Sequence, residues 1–106
     1  FTSFELDADD YCDLYNTIVG AEAAPDEMLK AGERIWNLER VFNLRAGIGP
    51  DQDTLPSRLL KEPIPDGPAE GHVHRLDTLL PEYYRERGWT EDGRPTDEKL
   101  SELGLQ

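Results

Sequence analysis

The strongest constraint on the fold is a stripe of apolar side chains that recur every three or four residues in the middle of the chain. The stripe consists of Met28, Ala31, Ile35, Leu38 and Phe42. This period places all five side chains on one face of an α-helix. An apolar face of this length predicts a helix that is buried along that side.

Two polar residues lie at the edge of this apolar stripe. Glu39 projects close to it, and Asn43 follows one helical turn later. A carboxylate on a buried face needs partners, because burying it unpaired is costly. Those partners lie either elsewhere in this chain or in protein outside it.

The net negative charge of the chain argues against some classes of binding partner. The 106 residues include 23 acidic and 11 basic side chains, for a net charge of −12. Nucleic acid is therefore an unfavourable partner, since phosphate binding requires a basic face. An acidic surface with few lysines also suggests a high-salt organism, where screening weakens self-repulsion. A melting temperature that does not rise with added salt would contradict that hypothesis.

Length and cysteine content predict one small domain without disulfides. A chain of 106 residues is enough for one modest core and not for two. It begins at Phe1 in the middle of a pattern, so we expect a single C-terminal domain, 1–106, excised from a larger protein. No run approaches the roughly 20 apolar residues of a membrane span, and no signal peptide is recognisable. Cys12 is the single cysteine, and we expect it to pack as a small hydrophobe.

Local signals predict two helices in the first half of the chain. After a segment at 1–6 that could be extended, Asp7 is a good N-cap and Gly20 a good terminator for a helix over 8–19. Pro25 suits the first position of a second helix that runs to Arg45, and Gly47 ends it.

Five prolines interrupt the segment 46–75, so it can be neither one helix nor a central strand. We expect a single turn over 54–60, capped by Asp53 or Thr54, within a long ordered loop. Four apolar residues would anchor this loop: Leu55, Leu59, Leu60 and Ile64.

The last third of the chain predicts two further helices. A third main helix ends at Gly88; it either starts near 78–80, with Pro81 in its first turn, or is kinked at that proline. After a turn at 91–93, Thr96 caps a short helix over 97–103 that Gly104 ends. With no confident strand, the predicted fold is all-α: a small orthogonal domain of about three main helices, a short C-terminal helix and a proline-rich loop.

Candidate sites are weak. His72 and His74 could form a metal pair, but no third ligand has a recognisable spacing, and two solvated histidines are the simpler interpretation. Asp51 and Asp53 lack the glycine and the late glutamate of a calcium loop. No catalytic triad or phosphate-binding loop is recognisable. We therefore predict no catalytic, cofactor-binding or metal-binding residue.

The polar face of the long helix has a simple interpretation. Glu33, Asn37 and Arg40 lie opposite the apolar stripe and are expected to form a solvated face with weak helical pairing. Arg34 and Arg45 are more suited to structural polar links, since the guanidinium recognises carbonyls and carboxylates. The two tryptophans, at positions 36 and 89, are expected to be core or interface anchors.

Taken together, five blocks resemble the C-terminal region of the tungsten-containing aldehyde:ferredoxin oxidoreductases. They are GERIWNLERVFNLR at 32–45, DTLPSR at 53–58, YYRERGW at 83–89, DGRPT at 92–96 and LSELGL at 100–105. Their order and approximate spacing hold over nearly the whole chain. Departures from the family pattern at Ala46, Gln52 and Pro81 affect loop details.

This resemblance implies a parent enzyme that oxidises aldehydes to carboxylic acids and passes electrons to ferredoxin. In the family, two pterin dithiolenes hold tungsten beside a [4Fe-4S] cluster; molybdenum remains an alternative. The family motif places the last cluster cysteine before Phe1, so Cys12 is not that ligand. The implied role is a cytoplasmic, inactive scaffold that binds no cofactor itself and packs against the cofactor-binding domains of the parent.

The alternative hypothesis is an independent acidic helical module for protein–protein interaction. If the scaffold interpretation is right, Glu39 and Asn43 should be under-satisfied, or paired only within their helix. Complete partners among residues 46–106 would contradict it.

Overall fold

The computed structural model describes residues 5–106, and it confirms the all-α prediction for that part of the chain. Residues 5–106 form five α-helices: α1 (Ala8–Val19), α2 (Pro25–Arg45), α3 (Ser57–Lys61), α4 (Leu76–Glu86) and α5 (Asp97–Leu103). A 3-10 turn occupies Pro50–Gln52. Between residues 5 and 106, the β-structure is limited to an isolated bridge between Trp89 and Pro95. No helix in that range is both long and apolar enough to cross a membrane. The proposed extended segment at 1–6 lies mostly outside the described residues.

The boundaries of α1 follow the predicted capping residues. The Asp7 side chain accepts from the backbone N–H of Asp10, whose carboxylate accepts from the N–H of Asp7, and Gly20 ends the helix in the left-handed conformation. The turn into α2 is held by Asn16, whose side chain exchanges two hydrogen bonds with the backbone of Ala23, at 2.8 and 3.0 Å. Cys12 packs beside this turn and is 1% exposed, as predicted.

Helix α2 begins at Pro25 and ends at Arg45, as predicted, with Gly47 just beyond in a left-handed conformation. It packs against α1 and α5. The Arg34 side chain supports the packing on α5 by donating to the carbonyl oxygen of Leu103, at 2.8 Å. Arg34 is therefore a structural polar link, as the sequence suggested.

The prediction for the turn over 54–60 was wrong in its boundaries and its cap. Helix α3 begins at Ser57, after Pro56, and no side chain caps it. Asp53 cannot serve as the cap because its carboxylate binds Arg40. Thr54 is not a cap either.

Helix α4 begins at Leu76, so a start at 78–80 was also wrong. Pro81 lies inside the helix, where it removes the hydrogen bond that residue 81 would donate to the carbonyl of Asp77. Helix α5 has the predicted limits, with Thr96 accepting from the N–H of Lys99 and Gly104 in the left-handed conformation.

The loop between α3 and α4 is ordered by backbone hydrogen bonds, as expected. Ile64 donates to His72, Gly71 donates to Ile64, and His74 donates to Leu59, at 2.9–3.0 Å. The predicted anchors differ among themselves: Leu55 and Leu60 are half-buried, whereas Leu59 and Ile64 are 50% and 42% exposed. Backbone pairing therefore contributes more to this loop than apolar burial does.

The two faces of α2 are reversed relative to the sequence prediction. The C-terminal part of the apolar stripe is at the surface, with Ile35 at 59%, Leu38 at 56% and Phe42 at 69% exposure, whereas Met28 and Ala31 are half-buried. The face predicted to be solvated is the buried one, with Asn37 fully buried and Arg40 only 9% exposed. The periodicity shows which residues share a face of α2, but it does not show which face has partners within this chain, and the prediction from the pattern alone was therefore wrong.

The chain is expanded for its size. Its radius of gyration is 18.0 Å, whereas a compact domain of this length has about 13 Å. Its accessible surface is 8473 Å², compared with about 6,000 Å² for a compact monomer of this mass. Large apolar side chains contribute to this exposed surface, among them Ile18, Ile35, Leu38 and Phe42.

Candidate functional site: an arginine-centred polar core and an adjacent groove

Arg40 lies at the centre of the buried face of α2 and joins three other segments. Its Nη1 atom donates to Oδ1 of Asp53, before α3, at 2.9 Å. Its Nε atom donates to the carbonyl oxygen of Gly93, in the turn after α4, at 2.8 Å. The guanidinium carbon lies 4.9 Å from the ring centroid of Trp89 and 5.8 Å from that of Tyr84. One side chain thus fixes two loops and α4 against α2 through charge-assisted hydrogen bonds and cation–π contacts.

The turn at Gly93 accommodates this arginine only because the residue has no side chain. Gly93 has a φ of +66°, and a Cβ there would lie 2.5 Å from Nη2 of Arg40 and 2.7 Å from Cζ of Tyr84. The N–H of Gly93 closes the turn onto Thr90, at 2.9 Å. The predicted turn at 91–93 is confirmed, and it presents a backbone carbonyl to a buried cation.

The protonation states of this cluster are fixed by its own contacts. The hydrogen bond from Arg40 holds the pKa of the Asp53 carboxyl below its usual value, against the opposing effect of burial, and the Tyr84 hydroxyl adds a second donor. Burial, followed by the bond to Asp53, raises the pKa of Tyr84 to about 12. The bond to Asp53 also raises the pKa of Arg40. At neutral pH the carboxylate stays ionised and the phenol stays protonated, so the cluster is suited to structural support and not to proton transfer.

A second buried link connects α2 to Trp89. The indole Nε1 atom donates to Oδ1 of Asn37 at 2.8 Å, and Nδ2 of Asn37 donates to the carbonyl oxygen of Glu33 at 2.8 Å. Trp89 is 8% exposed. Its predicted role as a core anchor is confirmed, and the fully buried Asn37 side chain is satisfied at both ends.

A third link joins α2 to the end of α4 through Arg87. Arg87, next to the end of α4, forms an ion pair with Glu33 and lies 5.3 Å from the ring centroids of both Trp36 and Tyr83. Nε1 of Trp36 donates to the hydroxyl of Tyr83 at 2.9 Å. The two aromatic side chains remain partly exposed, so Trp36 anchors a surface, whereas Trp89 anchors the core.

Between α2 and α4 lies a cavity of about 320 Å³, which we call the α2–α4 groove. Its lining includes Trp36, Glu39, Asn43, Leu55, Leu80 and Tyr83. A shallower depression of about 370 Å³ lies on the other side of the same helix edge, bordered by Leu38, Glu39, Phe42 and Asn43. Glu39 and Asn43 belong to both concavities and form the ridge between them.

Neither side chain of this ridge has a protein hydrogen-bond partner within the described part of the chain, where Glu39 is exposed and Asn43 half-buried. Among residues 5–106, the Glu39 carboxylate and the Asn43 amide make no side-chain hydrogen bond or ion pair, while their neighbours Asn37 and Arg40 are fully engaged. This agrees with the expectation that these two residues face protein outside the chain.

The other sequence candidates are not assembled into a site. His72 and His74 lie exposed in the loop before α4. Asp51 accepts from the Gln52 side chain, while Asp53 is held by Arg40. In residues 5–106 no three metal-ligating side chains are grouped closely enough to hold an ion. The Cys12 thiol is buried and donates to the carbonyl of Ala23, at 3.2 Å, so it is not presented to a metal or cluster.

Sequence reasoning missed the arginine-centred core. The sequence suggested Asp53 as a cap or part of a calcium loop and Arg40 as a solvated charge. Their partners are 13 to 53 residues apart in sequence, and no local spacing encodes such contacts. The sequence feature that pointed towards this core was a predicted turn ending at Gly93, four residues after Trp89.

Comparisons with known proteins agree over the whole chain. The family model described as aldehyde ferredoxin oxidoreductase, domains 2 and 3, matches residues 1–105. A tungsten-containing aldehyde ferredoxin oxidoreductase of Pyrococcus horikoshii is 59% identical over 107 residues, covering 100% of this chain and 18% of that protein. The protein of the same name from Pyrococcus furiosus is 57% identical, over 99% of this chain and 18% of its own length.

A more distant relative carries a different name. The aliphatic sulfonate oxidoreductase, WOR-like subunit, of Pyrococcus furiosus is 34% identical over 85% of this chain and 16% of that protein. The chain thus spans less than a fifth of the length of each of these relatives.

Proposed function

The chain belongs to the aldehyde ferredoxin oxidoreductase family, and we propose that it forms the C-terminal helical scaffold of a tungsten-containing enzyme that oxidises aldehydes to carboxylic acids. The observation that carries this proposal is the match of residues 1–105 to the family model, together with 57–59% identity to proteins of that name. The alternative of an independent interaction module has no comparable support.

The role assigned to this part of the enzyme is mechanical. The Arg40, Asp53 and Tyr84 cluster holds its loops in fixed positions, while the exposed stripe of α2 provides a surface for the cofactor-binding domains of the same polypeptide. An accessible surface about 2,500 Å² above that of a compact monomer supports such a role.

The chemistry belongs to the longer protein. We propose that a tungsten or molybdenum bis-pterin centre there would supply the two-electron oxidation of the aldehyde, with water as the source of the added oxygen, and that a [4Fe-4S] cluster would supply the electron route to ferredoxin in the cytoplasm. Cys12 does not fit a role as a ligand, because its thiol is buried against Ala23, and residues 5–106 contain no group of three metal-ligating side chains. We therefore propose that the isolated chain binds neither centre and is inactive. Its charge of −12 supports the expectation that nucleic acid is not a partner.

A chimaera tests this function. The matching C-terminal stretch of the Pyrococcus horikoshii enzyme is replaced by residues 1–106 of this chain, and aldehyde-dependent reduction of ferredoxin is measured. The proposal expects a folded, active chimaera and no activity from the 106-residue chain alone. A chimaera that cannot fold or that lacks activity would contradict the assignment, and turnover by the isolated chain would refute its inactivity.

A further inference from the structure

The exposed stripe of α2 and the unsatisfied ridge beside it form one continuous surface. Ile35, Leu38 and Phe42 line its apolar part, and each is more than half exposed. Glu39 and Asn43 form its polar edge, with a depression on one side and the α2–α4 groove on the other. Because the opposite face of the helix is already packed, no rotation of α2 buries this surface without exposing Asn37 and Arg40.

Covering the apolar stripe creates an electrostatic requirement. An element packed on Leu38 and Phe42 also removes water from Glu39, and a desolvated carboxylate without a partner is strongly unfavourable. The partner therefore has to supply hydrogen-bond donors at this point, and a cationic side chain supplies both the donors and the compensating charge. The Asn43 amide oxygen offers a second acceptor one helical turn away, where side chains are about 5–6 Å apart.

Arginine matches this pair better than lysine does. Its planar guanidinium presents five N–H groups that can reach two acceptors at once, whereas the lysine ammonium is a single strongly hydrated charge. The same planar group also stacks on aromatic rings, and Trp36 and Tyr83 lie exposed in the adjoining groove.

The identity of the occupant follows from charge and chain length. A second copy is disfavoured, because a symmetric contact on this ridge brings two Glu39 carboxylates together in a protein of net charge −12. The relatives continue for more than four-fifths of their length outside the matched stretch. Resting on the function proposed above, we propose that the remainder of the oxidoreductase chain packs an apolar surface on Ile35, Leu38 and Phe42 and places an arginine side chain on Glu39 and Asn43.

The first test uses the chimaera described above and measures its rate of thermal inactivation. Glu39→Gln removes the charge but keeps the shape, and it should raise the rate at least about tenfold, because it leaves a buried cation unpaired. The matched control is Glu82→Gln on the charged face of α4, where the side chain is exposed, and it should leave the rate nearly unchanged. Leu38→Ala should accelerate inactivation, whereas Leu38→Met, which preserves volume, should have little effect.

The second test does not depend on the stability of a variant. Leu38→Cys and Glu82→Cys are labelled with a maleimide, and modification is quantified by mass spectrometry of the peptide that contains each position. In the isolated chain both introduced thiols should react at similar rates, because both positions are exposed. In the chimaera the thiol at position 38 should react at least about a hundredfold more slowly, since buried groups react only through rare openings.

The two proposals fail in distinguishable ways. The chimaera could be folded and active while the thiols at positions 38 and 82 are labelled at the same rate. In that case the proposed docking surface is wrong, and the proposed scaffold function is unaffected. The same conclusion follows if Glu39→Gln behaves like Glu82→Gln. If the unmodified chimaera does not fold, the family role fails and this inference fails with it.

Discussion

Gly93→Ala is the sharpest test of the arginine-centred core, because the added methyl group has a definite position. The Cβ of an alanine at position 93 would lie 2.5 Å from Nη2 of Arg40 and 2.7 Å from Cζ of Tyr84. Both neighbours are fixed, Arg40 by Asp53 and Tyr84 by its place inside α4. Relief of the clash therefore requires Arg40 to move away from the Gly93 carbonyl, to which it donates at 2.8 Å.

The expected loss of stability has two parts. Alanine in a left-handed conformation costs about 1–2 kcal/mol. Overpacking adds about 1–3 kcal/mol, part of which is the weakened hydrogen bond from the charged guanidinium. We expect Gly93→Ala to reduce the free energy of unfolding by about 2–5 kcal/mol in total.

Urea denaturation of the 106-residue chain, followed by tryptophan fluorescence, measures this loss, with trimethylamine N-oxide added to raise the baseline stability. Gly104→Ala is the matched control: Gly104 has nearly the same φ, +68°, but a Cβ there meets nothing within 4 Å. The control should lose only the conformational part, about 1–2 kcal/mol. Equal losses at the two positions would refute the close approach of Arg40 and Tyr84 to the turn.

Three further changes test other parts of the structure. Asp53→Asn should reduce the free energy of unfolding by about 3 kcal/mol at pH 7, because it leaves a buried guanidinium unpaired. Folding lowers the pKa of Asp53, so the stabilisation by this carboxylate is complete above its unfolded pKa and is lost as pH falls below about 4. In urea denaturation at a series of pH values, the stability of the variant should therefore depend less on pH than that of the wild type. Trp89→Phe leaves the Asn37 amide oxygen buried without a donor and should reduce the free energy of unfolding by about 1–3 kcal/mol in the same assay. The loss should be smaller for Trp36→Phe, because the Trp36 indole is partly exposed. Equal losses for the two variants would contradict this ranking. Gly32→Ala should stabilise the isolated chain by about 1 kcal/mol, because the site is helical and a Cβ meets nothing within 4 Å, and calorimetry that shows no gain would contradict it.

The helix boundaries were largely readable from the sequence because caps are local. Asp7 and Gly20 define α1, and Thr96 and Gly104 define α5, through hydrogen bonds that span only three or four residues. Where a cap residue had a stronger distant partner, the local prediction was wrong. Asp53 binds Arg40 across 13 positions, so α3 begins later than expected and without a side-chain cap.

The interior of the structure was not readable in this way. Asn37 and Arg40 looked like solvated residues because isolated polar side chains on a helix favour water. Their burial is stable because Trp89 and the Glu33 carbonyl satisfy Asn37, while Asp53 and the Gly93 carbonyl satisfy Arg40.

The sequence by itself determined the family, the helical class and most of the element limits, because these depend on motifs, periodicity and short-range capping. Only the tertiary structure decided which face of α2 is inside. An apolar stripe indicates that burial of that face is favourable, but it does not show which segment packs against it. Asn37 and Arg40 on the polar face of α2 have their partners within residues 5–106, whereas Ile35, Leu38 and Phe42 on the apolar face remain exposed there.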